Sequence, residues 1–420
     1  MEPMLRFKAD DGSEFPAWEE KMFWDVFANL TNNTLSRECL NAESGQARNI
    51  HYGDVLVKYG AVVDVQRDGV PFVNPDVECK RWDCLKDGDV VIADTAEDET
   101  VGKAVEISNA GSDIVYSGLH TIACRPKEEF APGYLGNYIN SMSYHDQLRP
   151  YMQGIKVTSV SKTNIGLTHL LVPSLPEQHK IADLLSAVDD VISAQEAEVA
   201  AWEKRKKGVM QKLFSQEVRF KADDGSDFPD WESTTVGELF TFVTEKNESG
   251  RISDVITNSA EHGLIPQREY FDKDIAVEGN TEGYTVIHKG DFVYNPRKST
   301  IAPFGPFNIY ERDEVGIVSP LYTCLTPRDG ETAPYLSWYF KTSRWHRYIV
   351  THGAQGGARH DRVGMTNALM KGIPVMLPSL PEQRKIADCL TSLDDVIAKA
   401  KDELDAWREL KKGLLQQMFV

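Results

Sequence analysis

The sequence predicts an α/β (α+β) protein in which two mixed helix-and-strand modules are joined by two long helices, paired as an antiparallel coiled coil, with a pseudo-twofold internal repeat. Three observations predict it. PSLPEQHKIADLLSAVDDVI, from Pro173 to Ile192, returns as PSLPEQRKIADCLTSLDDVI from Pro378 to Ile397. RFKADDGSEFPAWE at Arg6 returns as RFKADDGSDFPDWE at Arg219, and the offsets of 205 and 213 residues are half of the 420-residue chain, too long a period for a solenoid. Residues 19–172 and 234–377, lying between the repeats, align only in scattered places, so one scaffold carries two modules with separate jobs.

The expected order is a linker and first module over 1–172, a helix over 173–217, a second linker and module over 218–377, and a helix over 378–420. Met1 to Arg6 supplies the residues that would follow Val420 if the ends were joined, so the order is cyclic and the termini are expected to lie close together.

Within the first module, Asp87-Gly88-Asp89-Val90-Val91-Ile92 reads as a tight turn running into a strand, and Lys289-Gly290-Asp291-Phe292-Val293-Tyr294 repeats it. Ser117-Gly118-Leu119-His120-Thr121 corresponds to Ser319-Pro320-Leu321-Tyr322-Thr323. Tyr134-Leu135 and Tyr335-Leu336 open short helical stretches, the second leading to the basic, aromatic run Ser343-Arg344-Trp345-His346-Arg347-Tyr348. Both modules read as one α/β domain with different surfaces.

Each long helix begins on a capping-box pattern, Ser174 with Glu177 and Ser379 with Glu382, with Pro176 and Pro381 in the first turn where a missing N–H does no harm. Ile181, Leu185, Val188, Ile192, Val199 and Trp202 then recur at spacings of four and three, with Gln195 filling the step between Ile192 and Val199, and Ile386, Leu390, Leu393, Ile397, Leu404 and Trp407 repeat the phase with Ala400 in the same place. This is a coiled-coil seam; an amphipathic helix lying on a globular core would show a wider stripe. Roughly 38 residues at 1.5 Å each span about 57 Å. Only about 17 residues separate Phe214 from Trp231, and the second module feeds straight into Pro378, which an antiparallel pair accommodates and a parallel pair does not. Lys206 and Lys411 fall on seam positions, where they either fix register or sit in frayed, solvated last turns.

Composition excludes several classes. With 41% hydrophobic residues the chain buries more than one core. No apolar run approaches the roughly 20 residues of a membrane helix and the start is polar, so the expectation is a cytoplasmic protein without membrane contact. Cys39, Cys79, Cys84, Cys124, Cys324 and Cys389 form no CxxC pair, which argues for reduced, buried thiols and against zinc or disulfides. A net charge of −18 disfavours unaided nucleic-acid binding, yet residues 234–377 carry 15 Lys and Arg against 17 Asp and Glu and can present a basic face.

The candidate nucleic-acid contacts lie in polar loops before each PSLPEQ, at the turn Asn295-Pro296-Arg297-Lys298 and in the basic, aromatic run Ser343–Tyr348. They are Lys156 and Lys162 in the first module, and Arg297, Lys298, Arg344, Arg347, Gln355, Arg359, His360 and Arg362 in the second. Glycines in Gly353–Arg362 permit close backbone approach, Arg and Lys match guanine edges and phosphates, and Gln matches adenine. No catalytic residue and no metal site is expected: Asp76, Glu78 and Lys80 are too compressed for a nuclease, and the nucleotide-binding, HExxH and amino-methyltransferase motifs are missing.

The Pro-x-x-Glu-Gln-x-x-Ile-Ala helix starts, Pro176-Glu177-Gln178-Ile181-Ala182 and Pro381-Glu382-Gln383-Ile386-Ala387, resemble those of the specificity subunits of type I restriction-modification systems, as does the module-helix-module-helix order. The resemblance covers the whole chain. It implies that each module is a target recognition domain reading one half of a bipartite, asymmetric site in double-stranded DNA, with the helices as spacer. It implies as partners two modification subunits carrying S-adenosylmethionine and two restriction (nuclease-translocase) subunits using ATP and Mg, with no cofactor on this chain. A solo DNA-binding or antirestriction-like protein, and a coiled-coil interaction scaffold, are the alternative readings.

Overall fold

The computed structural model describes residues 3–79, 82–154, 157–270, 281–353 and 361–419. The chain divides into two units, Met1–Ala197 with Lys401–Val420, and Glu198–Ala400. Each unit therefore combines one module with a stretch of both long helices, Leu175–Ser215 and Leu380–Met418. No described helix is long and apolar enough to cross a membrane.

In the first unit a five-stranded sheet runs in the order Phe27–Leu30, Thr121–Pro126, Val90–Ala93, Ala104–Ser108 and Val62–Asp64, antiparallel except for the last pair. Both of its faces are covered, which is why Val90–Ala93 is continuously apolar. Val90, Ile92, Ile122 and Cys124 face a core shared with Tyr134, Tyr138, Tyr144, the helix residues Ile181 and Leu185, and Phe419 just past the second long helix. Val91, Ala93 and Ala123 face the opposite core with Ile50, Val55 and Val105. The second unit repeats the plan on four strands, Phe240–Phe242, Thr323–Pro327, Phe292–Tyr294 and Phe307–Ile309. Phe292, Tyr294 and Leu325 point toward Tyr335, Phe340, Trp345 and the helix residues Ile386 and Leu390; Val293 and Cys324 point the other way.

Hydrogen-bond register shifts the expected correspondence of the modules by one residue. Cys124 pairs with Val90 and Leu325 with Phe292, so with Asp89 matched to Asp291 the second module is one residue shorter between these strands. Ser117–Thr121 therefore superimposes on 318–322, not 319–323. The cysteines also need correction: Cys124 and Cys324 are buried, but Cys84 is exposed and the other three half-buried.

The helix starts differ from a capping box. Ser174 Oγ and Ser379 Oγ have no hydrogen-bond partner. Glu177, fully buried, instead accepts from Arg6 Nε at 3.0 Å, Arg6 Nη2 at 2.9 Å and Trp18 Nε1 at 3.1 Å. Glu382 does the same with Arg219 Nε at 3.0 Å, Nη2 at 2.7 Å and Trp231 Nε1 at 3.1 Å. A buried carboxylate requires an opposite charge and filled lone pairs, and the guanidinium fork supplies both where a serine hydroxyl cannot. The following Gln178 and Gln383 donate Nε2 to the carbonyls of Pro173 and Pro378 at 2.9 and 2.8 Å. The Pro-Glu-Gln signature is thus the socket for the repeated Arg-Trp linker.

Of the seam residues, Ile181, Leu185, Val188, Val199, Ile386, Leu390, Ile397 and Leu404 are buried, while Ile192, Trp202, Leu393 and Trp407 are half-buried. Over the first turns Ala182 and Ala387 are buried as well, at 4% exposure each, and join the module cores, so the stripe there is the wider one of a helix on a globular body. Farther along, Asp189 meets Lys411 and Glu196 meets Arg408 within the first unit, so one helix rises as the other descends and the pair is antiparallel.

Candidate nucleic-acid interface

The turn after Phe292–Tyr294 in the second module is built on Asn295, whose Oδ1 accepts from Arg297 N at 3.0 Å and whose Nδ2 donates to Asn258 O at 3.0 Å. Gly305 lets the returning loop fold onto this turn: its φ is 86°, and a Cβ would stand 2.0 Å from the Asn295 carbonyl oxygen. Main-chain bonds then join the turn to the segment before the second long helix, Lys298 N to Asp361 O at 2.8 Å and Val363 N to Pro296 O at 2.9 Å. Arg297 and Arg362 face one another across this two-stranded tip as an antiparallel bridge. Arg297 and Lys298 are exposed and Arg362 partly so.

Arg344 and Arg347, both exposed, flank the buried Trp345, which donates Nε1 to Phe340 O at 3.1 Å and packs on Tyr294 and Phe307. His346 lies against Phe304, in the loop that follows Lys298, with ring centroids 4.7 Å apart; burial pushes its imidazole pKa down. The structure therefore brings Arg297, Lys298 and Arg362 onto one tip and mounts Arg344 and Arg347 on the aromatic base beside its loop. Gln355, Arg359, His360 and, in the first module, Lys156 lie outside the described residues. Lys162 opens the short helix Lys162–Ile165, half-exposed, its carbonyl accepting from Trp24 Nε1 at 3.3 Å.

The first module contains the same tip with different side chains. Val160 N donates to Asp94 O at 2.9 Å, the counterpart of Val363 to Pro296, and Thr95 pairs with Ser159 where the second module places Arg297 opposite Arg362. Beside them His120, at φ 55°, sets Nδ1 3.4 Å from Thr95 Oγ1 and 3.5 Å from Asp94 Oδ1. Sequence reasoning missed Thr95 and Ser159, because a search for basic side chains passes over small hydroxyls. Counting on from the matched Gly-Asp turns was the signal that would have found Thr95.

Residues 229–406 match the family model of the type I restriction modification DNA specificity domain. Over its full length the chain is similar to the MjaX specificity subunit assigned to a type I restriction enzyme of Methanocaldococcus jannaschii, 24% identical with 98% of this chain and 95% of the relative covered. Residues 229–406 thus carry the DNA specificity domain of type I restriction-modification systems, and the chain along its length is similar to their specificity subunits. A second such specificity subunit, of the MjaVIII enzyme from the same organism, is 23% identical over 65% of this chain and 66% of its own. Among solved structures the specificity fold recurs in the type I restriction-modification S subunit of M. genitalium, at 14% identity, TM-score 0.53, and coverage of 100% and 99%. It recurs also in a chain from work on complex assembly and conformational transition of the type I system, at 17% identity, TM-score 0.58, and coverage of 96% and 98%.

Proposed function

We propose that this specificity subunit reads a bipartite, asymmetric site in double-stranded DNA, one half with each module. The helix pair sets the unread spacer and docks two modification subunits, which carry S-adenosylmethionine, and through them two restriction subunits that use ATP and Mg in the cytoplasm. Methylation of adenine and cleavage belong to those partners; this chain supplies the address. The observation that carries the reading is the tip common to both modules, one main-chain frame bearing Thr95 and Ser159 in one and Arg297 and Arg362 in the other. Such a frame presents different hydrogen-bonding groups to two different base sequences, hydroxyls in one case and guanine- or phosphate-seeking guanidiniums in the other. Base edges repeating every 34–36 Å along one face of B-DNA suit two readers held on a rigid spacer. The acidic charge is compatible if the modification subunits share the phosphate contacts.

The test is a methylome. The chain is co-expressed with its modification subunit in a methylation-free host, and modified adenines are mapped by single-molecule sequencing. A split motif with a fixed gap is expected. An assembled, active methyltransferase that leaves no motif would overturn the reading.

A further inference from the structure

A groove of about 1060 Å³ opens between the first module and the first long helix, lined by residues of the first unit alone. The helix contributes Asp189, Asp190 and Glu196; the module contributes Glu128 and Glu129, with further carboxylates from the strand edges. Nine carboxylates line it against two cations, Lys58 and Arg67. Two buried side chains in the lining have unmet polar atoms. Tyr59 and Asn137 are 4% and 3% exposed, and neither Tyr59 Oη nor Asn137 Oδ1 has a hydrogen-bond partner. Asn137 Nδ2 is already committed to Gly133 O at 2.8 Å, so the open position is an acceptor. Buried acceptors are ordinarily satisfied, so Asn137 Oδ1 leaves one hydrogen bond unmet in the wall of this groove, while the positive charge an occupant must carry is set by the carboxylates around it.

The same walls already hold such donors wherever another element of the unit reaches them. Asp189 takes Lys411 at 2.6 Å, Glu196 takes Arg408 at 2.7 Å and Glu128 takes Lys21 at 2.6 Å. Glu129 and Asp190 are exposed and without an ion pair among the described residues. The groove is no by-product of the duplicated scaffold. The strand Val62–Asp64 that builds one side of it extends a five-stranded sheet whose counterpart has four described strands, and the helix repeat places Lys401 where the groove has Glu196.

We propose that this groove docks a lysine- and arginine-bearing segment of a partner polypeptide, which places basic side chains against Glu129 and Asp190 and a donor at Asn137 Oδ1. DNA is excluded as occupant because the carboxylates repel phosphate. A second copy is disfavoured by a charge of −18 on each chain. A single metal ion is too small for the volume, and the described residues contain no group of three or more His, Cys, Asp or Glu able to hold one. The inference does not rest on DNA reading.

The test titrates the full chain with a fluorescent dodecapeptide of alternating lysine, arginine and glycine at 0.15 M salt, with spermine and an acidic dodecapeptide as separate arms. Saturable binding of the basic peptide is expected, at least tenfold tighter than spermine. The surface double variant Glu129→Lys/Asp190→Lys should weaken it at least tenfold, and Asn137→Leu should weaken it with melting temperature monitored in parallel. The control Glu43→Lys/Asp76→Lys, which makes the same change in net charge away from the groove, should leave it unaltered. Equal binding of spermine, equal loss in the control, or no binding overturns the proposal.

Discussion

Lys411 Nζ lies 2.6 Å from Asp189 Oδ1 across the two long helices, and the repeat-related Lys206 pairs with Asp394 in the other unit. Both lysines lie within continuous helix and are largely covered, with side-chain exposures of 19% and 23%. They are register pins, not frayed ends. A slip of one helical turn would leave a seam ammonium facing apolar side chains, which is the way a lone polar seam residue selects alignment.

The first prediction follows from that pair. Asp189→Ala, Lys411→Ala and the double variant should give a coupling energy of about 0.5–1.5 kcal/mol in urea unfolding, modest because the aspartate is partly exposed. Asp189→Lys should be worse than Asp189→Ala, and Asp189→Lys/Lys411→Asp should recover most of the loss. Additive single effects would remove the register role.

The Arg-Glu latch is a deeper commitment. Arg219→Ala strands the fully buried Glu382 with only Trp231 as a side-chain donor, and should destabilise the second unit by about 3–5 kcal/mol. Arg6→Ala should do the same to the first unit through Glu177. Because the contacts of each latch fall inside one unit, differential scanning calorimetry should show one transition lowered and the other unmoved by each variant. A shift of both transitions would contradict this.

At the reading tip, Arg297→Ala should weaken binding of the cognate duplex by about 1–3 kcal/mol and relax one half-site while the other half of the methylation motif stays as it was. Lys298→Ala, if it meets phosphate, should weaken all sequences alike and lower the salt-dependence slope by about 1. The reciprocal change Thr95→Arg should alter the other half-site. An unaltered motif in both Arg297→Ala and Thr95→Arg would remove this tip from recognition.

Glu106 gives a pH prediction. Burial pushes its carboxyl pKa up to about 7, against the lowering effect of backbone N–H groups of Gly136 and Gly133 at 2.9 and 2.6 Å. The folded state then holds a proton that the unfolded chain releases near its ordinary value of 4.5. Stability from this group is therefore full below about pH 4.5, falls as pH rises toward 7 and is level above, a loss on the order of 3 kcal/mol. Glu106→Gln should flatten that slope in urea unfolding measured from pH 4.5 to 8. A wild-type slope of opposite sign, unchanged in the variant, would rule it out.

How much was legible depended on the range of the physics. The long helices were plain in the sequence because a heptad pattern is local and successive heptads in agreement reinforce one another. The latch was not, because Glu177 and Arg6 are 171 residues apart and nothing in either segment alone names the other. Its only trace was that both segments recur together. The turn at Arg297 and Lys298 could be read from Asn-Pro, yet its bonding to Asp361 and Val363 could not. The slip of one residue between the modules was hidden because it is the net of one residue gained between Phe292–Tyr294 and Phe307–Ile309 and two lost after them, changes in loops that leave the flanking residues similar.

The tip that carries Thr95 and Ser159 in one module and Arg297 and Arg362 in the other is closed by main-chain atoms, so its stability is nearly indifferent to what the side chains are. Substitutions there meet little resistance from folding. If the tip reads bases as proposed, a lineage under pressure to change its address can do so one side chain at a time, while the buried latch and the pinned helices stay under strict constraint. Drift in recognition and constancy of architecture are then two outcomes of a single division of labour between backbone and side chain.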